Sequence, residues 1–194
     1  GYARGKGLYR TQRWTQAIEV LSVIGARCVG VDGQSGSSAC CLVGTIKASR
    51  GHHASSAEAY ASLVQGYPVH SMADDALVRG GVAAQEAGDL SSAWARWERA
   101  LEDYPHGDTT PDGAWRLAFA HYDRGDVEAA RRVAGELANL GEWAGQATWA
   151  KGTYWHARWM LYPDVHHPSR LTDSDEEREQ ALSLLKELVE KAPY

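Results

Sequence analysis

The residues of this 194-residue chain whose chemistry reaches beyond packing are three cysteines, eight histidines, eight tryptophans and a few paired carboxylates. Cys28 closes one expected helix and Cys40 and Cys41 open the next, so the loop between them can bring sulfurs within bridging distance. A disulfide from Cys28 to Cys40 or Cys41 would pin that loop and suits an oxidising compartment, whereas three reduced thiols suit a reducing one. No paired CxxC spacing exists, so no metal site is expected. The pairs His52-His53 and His166-His167 belong to no HExxH or HxxxH pattern and read as surface or turn residues. Asp74-Asp75 and Glu176-Glu177 fall at expected helix starts, where the dipole favours negative charge, and need no acid-base role. There is no GxSxG, no phosphate-cradling glycine loop and no nucleophile beside a base. The expectation is therefore no catalytic residue and no cofactor.

Tryptophan is the unusual usage, because seven of the eight lie between Trp94 and Trp159. Trp94, Trp97 and Trp115 fall on apolar stripes and read as packing. Trp149, Tyr154, Trp155 and Trp159 cover more than one face of a single helix. Such a helix is either enclosed by neighbours or offers rings to a partner, a glycan or a peptide. Those four residues form the candidate binding surface.

What positions them is a repeat. Gly51, Gly88 and Gly125 recur at a step of 37, and Tyr67-Pro68 recurs as Tyr104-Pro105 at the same step. Tyr60 and Leu63 map onto Trp97 and Ala100, then onto Ala134 and Leu137. Within one unit, Trp115, Phe119 and Tyr122 share a helix face. Gly125 then supplies a left-handed residue, Asp126 caps the next helix, and small residues follow where two backbones approach. Pro105 stops the helix that opens after Asp89, since proline cannot continue the ladder. Each unit is thus a helical hairpin that must stack on its neighbours to bury its stripe.

The pattern predicts an all-α, right-handed superhelix of such hairpins, an α-α solenoid, over residues 1–194 as one domain of about four and a half hairpins. Helices are expected near 2–9 and 14–26, 38–50 and 54–66, 72–87 and 90–104, 111–124 and 126–140, then 143–161 and 174–192. Loops at 29–38 and 162–172 break the period. Both ends look cut, so the expectation is a piece of a longer array.

Composition limits the partners. Hydrophobic residues at 44% and charged residues at 23% suit a packed core rather than disorder. No apolar run approaches the ~20 residues of a membrane span. A net charge of −5 argues against nucleic acid. The charge is uneven, with seven Lys/Arg against three Asp/Glu in residues 1–70 and 13 against 22 beyond. The basic end reads either as ordinary patchiness or as a face for an anionic partner.

Arg4-Gly5-Lys6-Gly7-Leu8-Tyr9, Gly51-His52-His53-Ala54 with Tyr67-Pro68, Tyr154-Trp155-His156-Ala157-Arg158 and the closing Ala192-Pro193-Tyr194 together carry a resemblance. The chain resembles the TPR-like superhelical repeats of bacterial soluble lytic murein transglycosylases over nearly its whole length. In that family the superhelix precedes a lysozyme-like catalytic domain. The family's catalytic Glu-Ser pair and its Gly-Leu-Met-Gln segment are not found here, so no catalytic residue carries over. The resemblance implies a non-catalytic scaffold in the periplasm that positions peptidoglycan or a cell-envelope protein. The 37-residue step with Tyr-Pro at helix ends also looks like the TPR module of the Tol-Pal coordinator, which has no enzyme attached. A generic TPR adaptor is the third alternative.

Overall fold

The computed structural model describes residues 1–25 and 33–192. It divides into two compact units, Gly1–Arg99 and Ala100–Tyr194. An array whose repeats touch only their neighbours divides readily in this way. The helices are α1 (Tyr2–Arg10), α2 (Trp14–Gly25), α3 (Gly33–Ser49), α4 (His53–Gly66), α5 (Ala73–Glu86), α6 (Leu90–Asp103), α7 (Thr110–Asp123), α8 (Val127–Ala144), α9 (Gln146–Leu161) and α10 (Asp175–Lys191). No strand occurs among the described residues. In the first unit α1 packs on α2, α2 on α3, α3 on α4 and α4 on α5; in the second, α7 packs on α8, α8 on α9 and α9 on α10.

One turn closes four hairpins. Gly51, Gly88 and Gly125 take φ of 75°, 83° and 85°, the left-handed conformation that glycine adopts without steric cost. The Gly88 N–H donates to Gln85 O and the Asp89 N–H to Ala84 O, both at 2.9 Å, which is the Schellman pattern that satisfies two orphan carbonyls. Gly51 with His52, and Gly125 with Asp126, repeat the same pair of bonds. So do Gln12 and Arg13 between α1 and α2, where Gln12 holds φ 58° without being glycine. Gly88→Ala should therefore cost about 1 kcal/mol in chemical denaturation. Gln12→Gly should stabilise slightly, because it removes that strain.

The pairing across each hairpin repeats as well. Seven residues before the turn residue stands Gly5, Gly44, Gly81 or Ala118, and nine residues after it stands Leu21, Tyr60, Trp97 or Ala134. A Cβ on Gly44 would meet the Tyr60 ring at 2.8 Å, and the Gly81 notch is filled by the Trp97 indole. Where the large side chain shrinks to Ala134, the notch closes to Ala118, and both are fully buried. Five residues after the turn, Ala17, Ser56, Ala93 and Ala130 are all fully buried. Ser56 is satisfied there because its hydroxyl donates to Gly44 O at 2.8 Å. The connectors between hairpins match too. The backbone N–H of His70 donates to Tyr67 O and that of Ala73 to His70 O, as Gly107 does to Tyr104 O and Thr110 to Gly107 O.

Caps follow the expected chemistry. Asp126 accepts from the Ala129 N–H at 3.2 Å, and Asp89 accepts from the Ser92 N–H at 3.1 Å. These bonds hold both carboxyls below the usual aspartate value, the Ala129 N–H being the main cause for Asp126 and the Ser92 bonds for Asp89. A lowered folded value means the unfolded chain binds more protons. Stability contributed by these caps is present above the unfolded value of 3.8 and is lost as pH falls through the folded values. Asp126→Ala should cost about 1 kcal/mol near neutral pH and flatten the acid limb of the thermal-midpoint profile, whereas Asp126→Asn should keep the cap.

Two boundaries differ from the sequence reading. The expected loop at 29–38 is helical from Gly33 onward, because Gly36 leaves the gap into which the Tyr67 phenol packs; residues 26–32 lie outside those described. The break expected near residue 141 falls instead at Gly145, whose φ of 109° and ψ of 163° suit glycine alone. Gly141 stays helical as a contact point, since Trp149 backbone and Cβ press on it.

Candidate functional site

The second unit gathers six of its aromatic side chains where α7 meets α9. Trp115, Phe119 and Tyr122 sit at i, i+4 and i+7 on α7, while Tyr154 and Trp155 are neighbours on α9 and Trp159 follows Trp155 one turn later. Ring centroids are 5.8 Å apart for Trp115–Trp155, 4.9 Å for Phe119–Trp155 and 5.4 Å for Phe119–Trp159. Tyr122 stacks on Trp159 at 5.2 Å with 19° between the planes. Tyr154 meets Trp155 edge-on at 5.4 Å. Edge and offset contacts of this kind add about 0.5–1.5 kcal/mol per pair beyond area burial, so the cluster is rigid.

Exposure divides the four expected surface residues. Tyr154 is 42% exposed, while Trp159 is 2% exposed and belongs to the packing, not to an open face. Its stacking on Tyr122 and contact with Phe119 account for that burial. Trp155 is half-buried between the two groups. Trp149 stands apart from them, half-buried against Gly141 of α8 with the Lys191 ammonium 6.0 Å from its ring. The accessible face is therefore Tyr154, Trp155 and the half-buried Trp115.

Lys151 completes that face. Its ammonium lies 3.8 Å from the centre of the Trp115 ring, a cation–π contact. Burial pushes its pKa below the usual lysine value, and Asp112 acts in the opposite sense. The sequence reading leaves Lys151 out, although its place four residues before Trp155 puts both on one helix face. It also assigns Trp115 and Phe119 to packing alone; their link to α9 is a tertiary contact that periodicity does not reveal.

The loop after α9 is tied down by charge. Arg131 pairs with Glu128 at 2.8 Å and with Glu177, which also accepts from the Thr172 hydroxyl at 2.7 Å. The Thr172 bond and then Arg131 hold the Glu177 carboxyl below its usual value. His156 closes the α8–α9 contact through Nδ1, 2.8 Å from Arg131 O. Cys40 and Cys41 are buried on α3, and Cys28 lies outside the described residues. Burial pushes the Cys41 thiol up, chiefly by desolvation, which makes it a poor nucleophile. Among the described residues no group of three metal-ligating side chains assembles, and no helix is long and apolar enough to cross a membrane.

No protein-family model matches the chain, and no curated protein matches it in sequence. Solved structures do match. The MamA protein aligns with a TM-score of 0.59 at 11% identity, over 96% of this chain and 86% of that one. The nearly identical TPR-like repeats of a Podosopora anserina kinesin light chain-like protein align at 0.56 and 12% identity, over 100% of this chain and 95% of theirs. A single-substitution variant of the same repeats gives 0.57 and 12% over 96% and 90%. The fold is that of TPR-like helical repeats, an α-α solenoid.

Proposed function

We propose that the chain is a protein-interaction scaffold of the TPR kind, contacting its partner through the α7–α9 aromatic face. The carrying observation is that Tyr154 stays 42% exposed at the edge of a rigid ring cluster. Ordered aromatics lose little side-chain entropy on binding, so they anchor partners well. Tyr154→Ala should remove captured partners in affinity purification while leaving the thermal midpoint within about 2 °C, since little buried area is lost. Unchanged capture by Tyr154→Ala and by Trp155→Ala would refute the reading.

A narrower proposal rests on the sequence resemblance alone: the partner is cell-wall glycan or an envelope protein, met in the periplasm beside a lytic transglycosylase. Aromatic faces stack on sugar rings as they do on peptides, so Trp155 serves either ligand. Co-sedimentation with isolated peptidoglycan, lost in Trp155→Ala, is the expected result. A chain that stays in the supernatant contradicts it.

A further inference from the structure

A groove on the first unit is apolar on one wall and cationic on the other. It is a cavity of about 540 Å³ between α4, α5 and α6, within the range that holds small organic ligands. Ala61 and Val64 of α4 and Pro68 just beyond its end form the apolar wall, joined by buried Leu77 of α5. Ser92, Arg96 and Arg99 form the opposite wall, at i, i+4 and i+7 on α6. The lining holds two guanidiniums and no carboxylate. Arg96 is half-buried, with its stem laid over α5, where a Cβ on Gly80 would meet its Cδ at 3.4 Å. Its guanidinium donates to Ser92 O at 3.0 Å and, among the described residues, pairs with no carboxylate. Asp89 feels the Arg96 charge, yet it lies outside the lining and accepts from the Ser91 hydroxyl and the Ser92 N–H.

We infer that this groove binds a small amphiphilic anion, a carboxylate carried on a single alkyl chain. Charge selects the head group. A guanidinium offers five N–H donors in a fixed fork, so Arg96 keeps the capacity to hold a carboxylate by two parallel bonds. A partly desolvated cation without a counter-ion is costly, and an incoming anion relieves that cost. The opposite wall selects the tail, because Ala61, Val64, Pro68 and Leu77 present nothing that a polar ligand could bond. An alkyl ammonium fails against the cationic wall, and a bare anion gains nothing from the apolar one. The apolar side is also recessed, with Val64 and Leu77 only 2% and 4% exposed, so it suits a free molecule rather than a membrane surface. Alanine at 61 leaves the space open, since a large side chain there would fill it. The groove shares no residue with the α7–α9 face, so the inference goes beyond the scaffold reading and does not depend on it.

The test is isothermal titration calorimetry of the full chain with decanoate, kept below the concentration at which it forms micelles. Acetate and decylammonium are the controls, and co-sedimentation with phosphatidylglycerol vesicles tests for a membrane surface. Decanoate should bind saturably, and neither control should. Arg96→Gln should weaken decanoate roughly tenfold or more, because a neutral amide replaces the charged fork. Ala61→Trp, at an exposed position, should fill the groove and abolish the binding heat while far-UV circular dichroism stays unchanged. No binding of decanoate, equal binding of decylammonium, affinity undiminished in both variants, or recruitment to vesicles in place of decanoate overturns the inference.

Discussion

Trp97→Ala is expected to cost about 3–5 kcal/mol in urea denaturation followed by circular dichroism. The indole is 1% exposed, fills the notch left by Gly81 on α5, and donates from Nε1 to Val78 O at 3.1 Å. Gly81 has no side chain to move into the space. Trp97→Phe keeps most of the ring and loses the hydrogen bond, so it should cost much less. A compensating pair follows from the repeat itself, since the next hairpin pairs Ala118 with Ala134. Gly81→Ala should be harmful while Trp97 is intact and partly restorative in the Trp97→Ala background, which a double-mutant cycle would read as favourable coupling. Additive effects would show that the notch and the ring do not act as one unit.

Gly152→Ala is the second large effect, at about 3 kcal/mol. A Cβ at this position of α9 would lie 2.7 Å from Ala138 Cα and 2.8 Å from Leu137 C, which are backbone atoms of α8. Side chains can rotate away from a clash, but a helix backbone moves only as a body. The same substitution at Gly7 meets nothing within 4 Å, and there it should stabilise by about 0.5–1 kcal/mol through helix propensity. One change, opposite signs at two helical sites, isolates packing from propensity. Gly141, pressed by Trp149, shares the α8–α9 contact, and Gly145 turns the chain between them in one residue.

Local rules make most of the fold legible. The left-handed glycines, the aspartate caps and the Tyr-Pro connectors are each set by residues within a few positions, so the 37-residue step carries them intact. Gln12 escapes notice as a turn residue because its side chain gives no sign of a positive φ. The early start of α3 is hidden for a different reason. Gly33 and Gly36 look like loop formers, yet Gly36 is glycine because Tyr67, distant in sequence, packs on it. The same limit applies at the candidate site. Tyr154 and Trp155 are identifiable on α9 by their number and spread, but which of the aromatics stays open depends on α7. Phe119 and Tyr122 of α7 stand against Trp159 and help to enclose it.

The most direct test of the binding account is photo-crosslinking. A benzoylphenylalanine placed at position 154 should yield a discrete protein adduct, whereas the same probe at the exposed position 142 should yield none. Equal adducts from both positions, or an adduct at 154 undiminished by Trp155→Ala, would contradict the claim that the α7–α9 face is where partners are held.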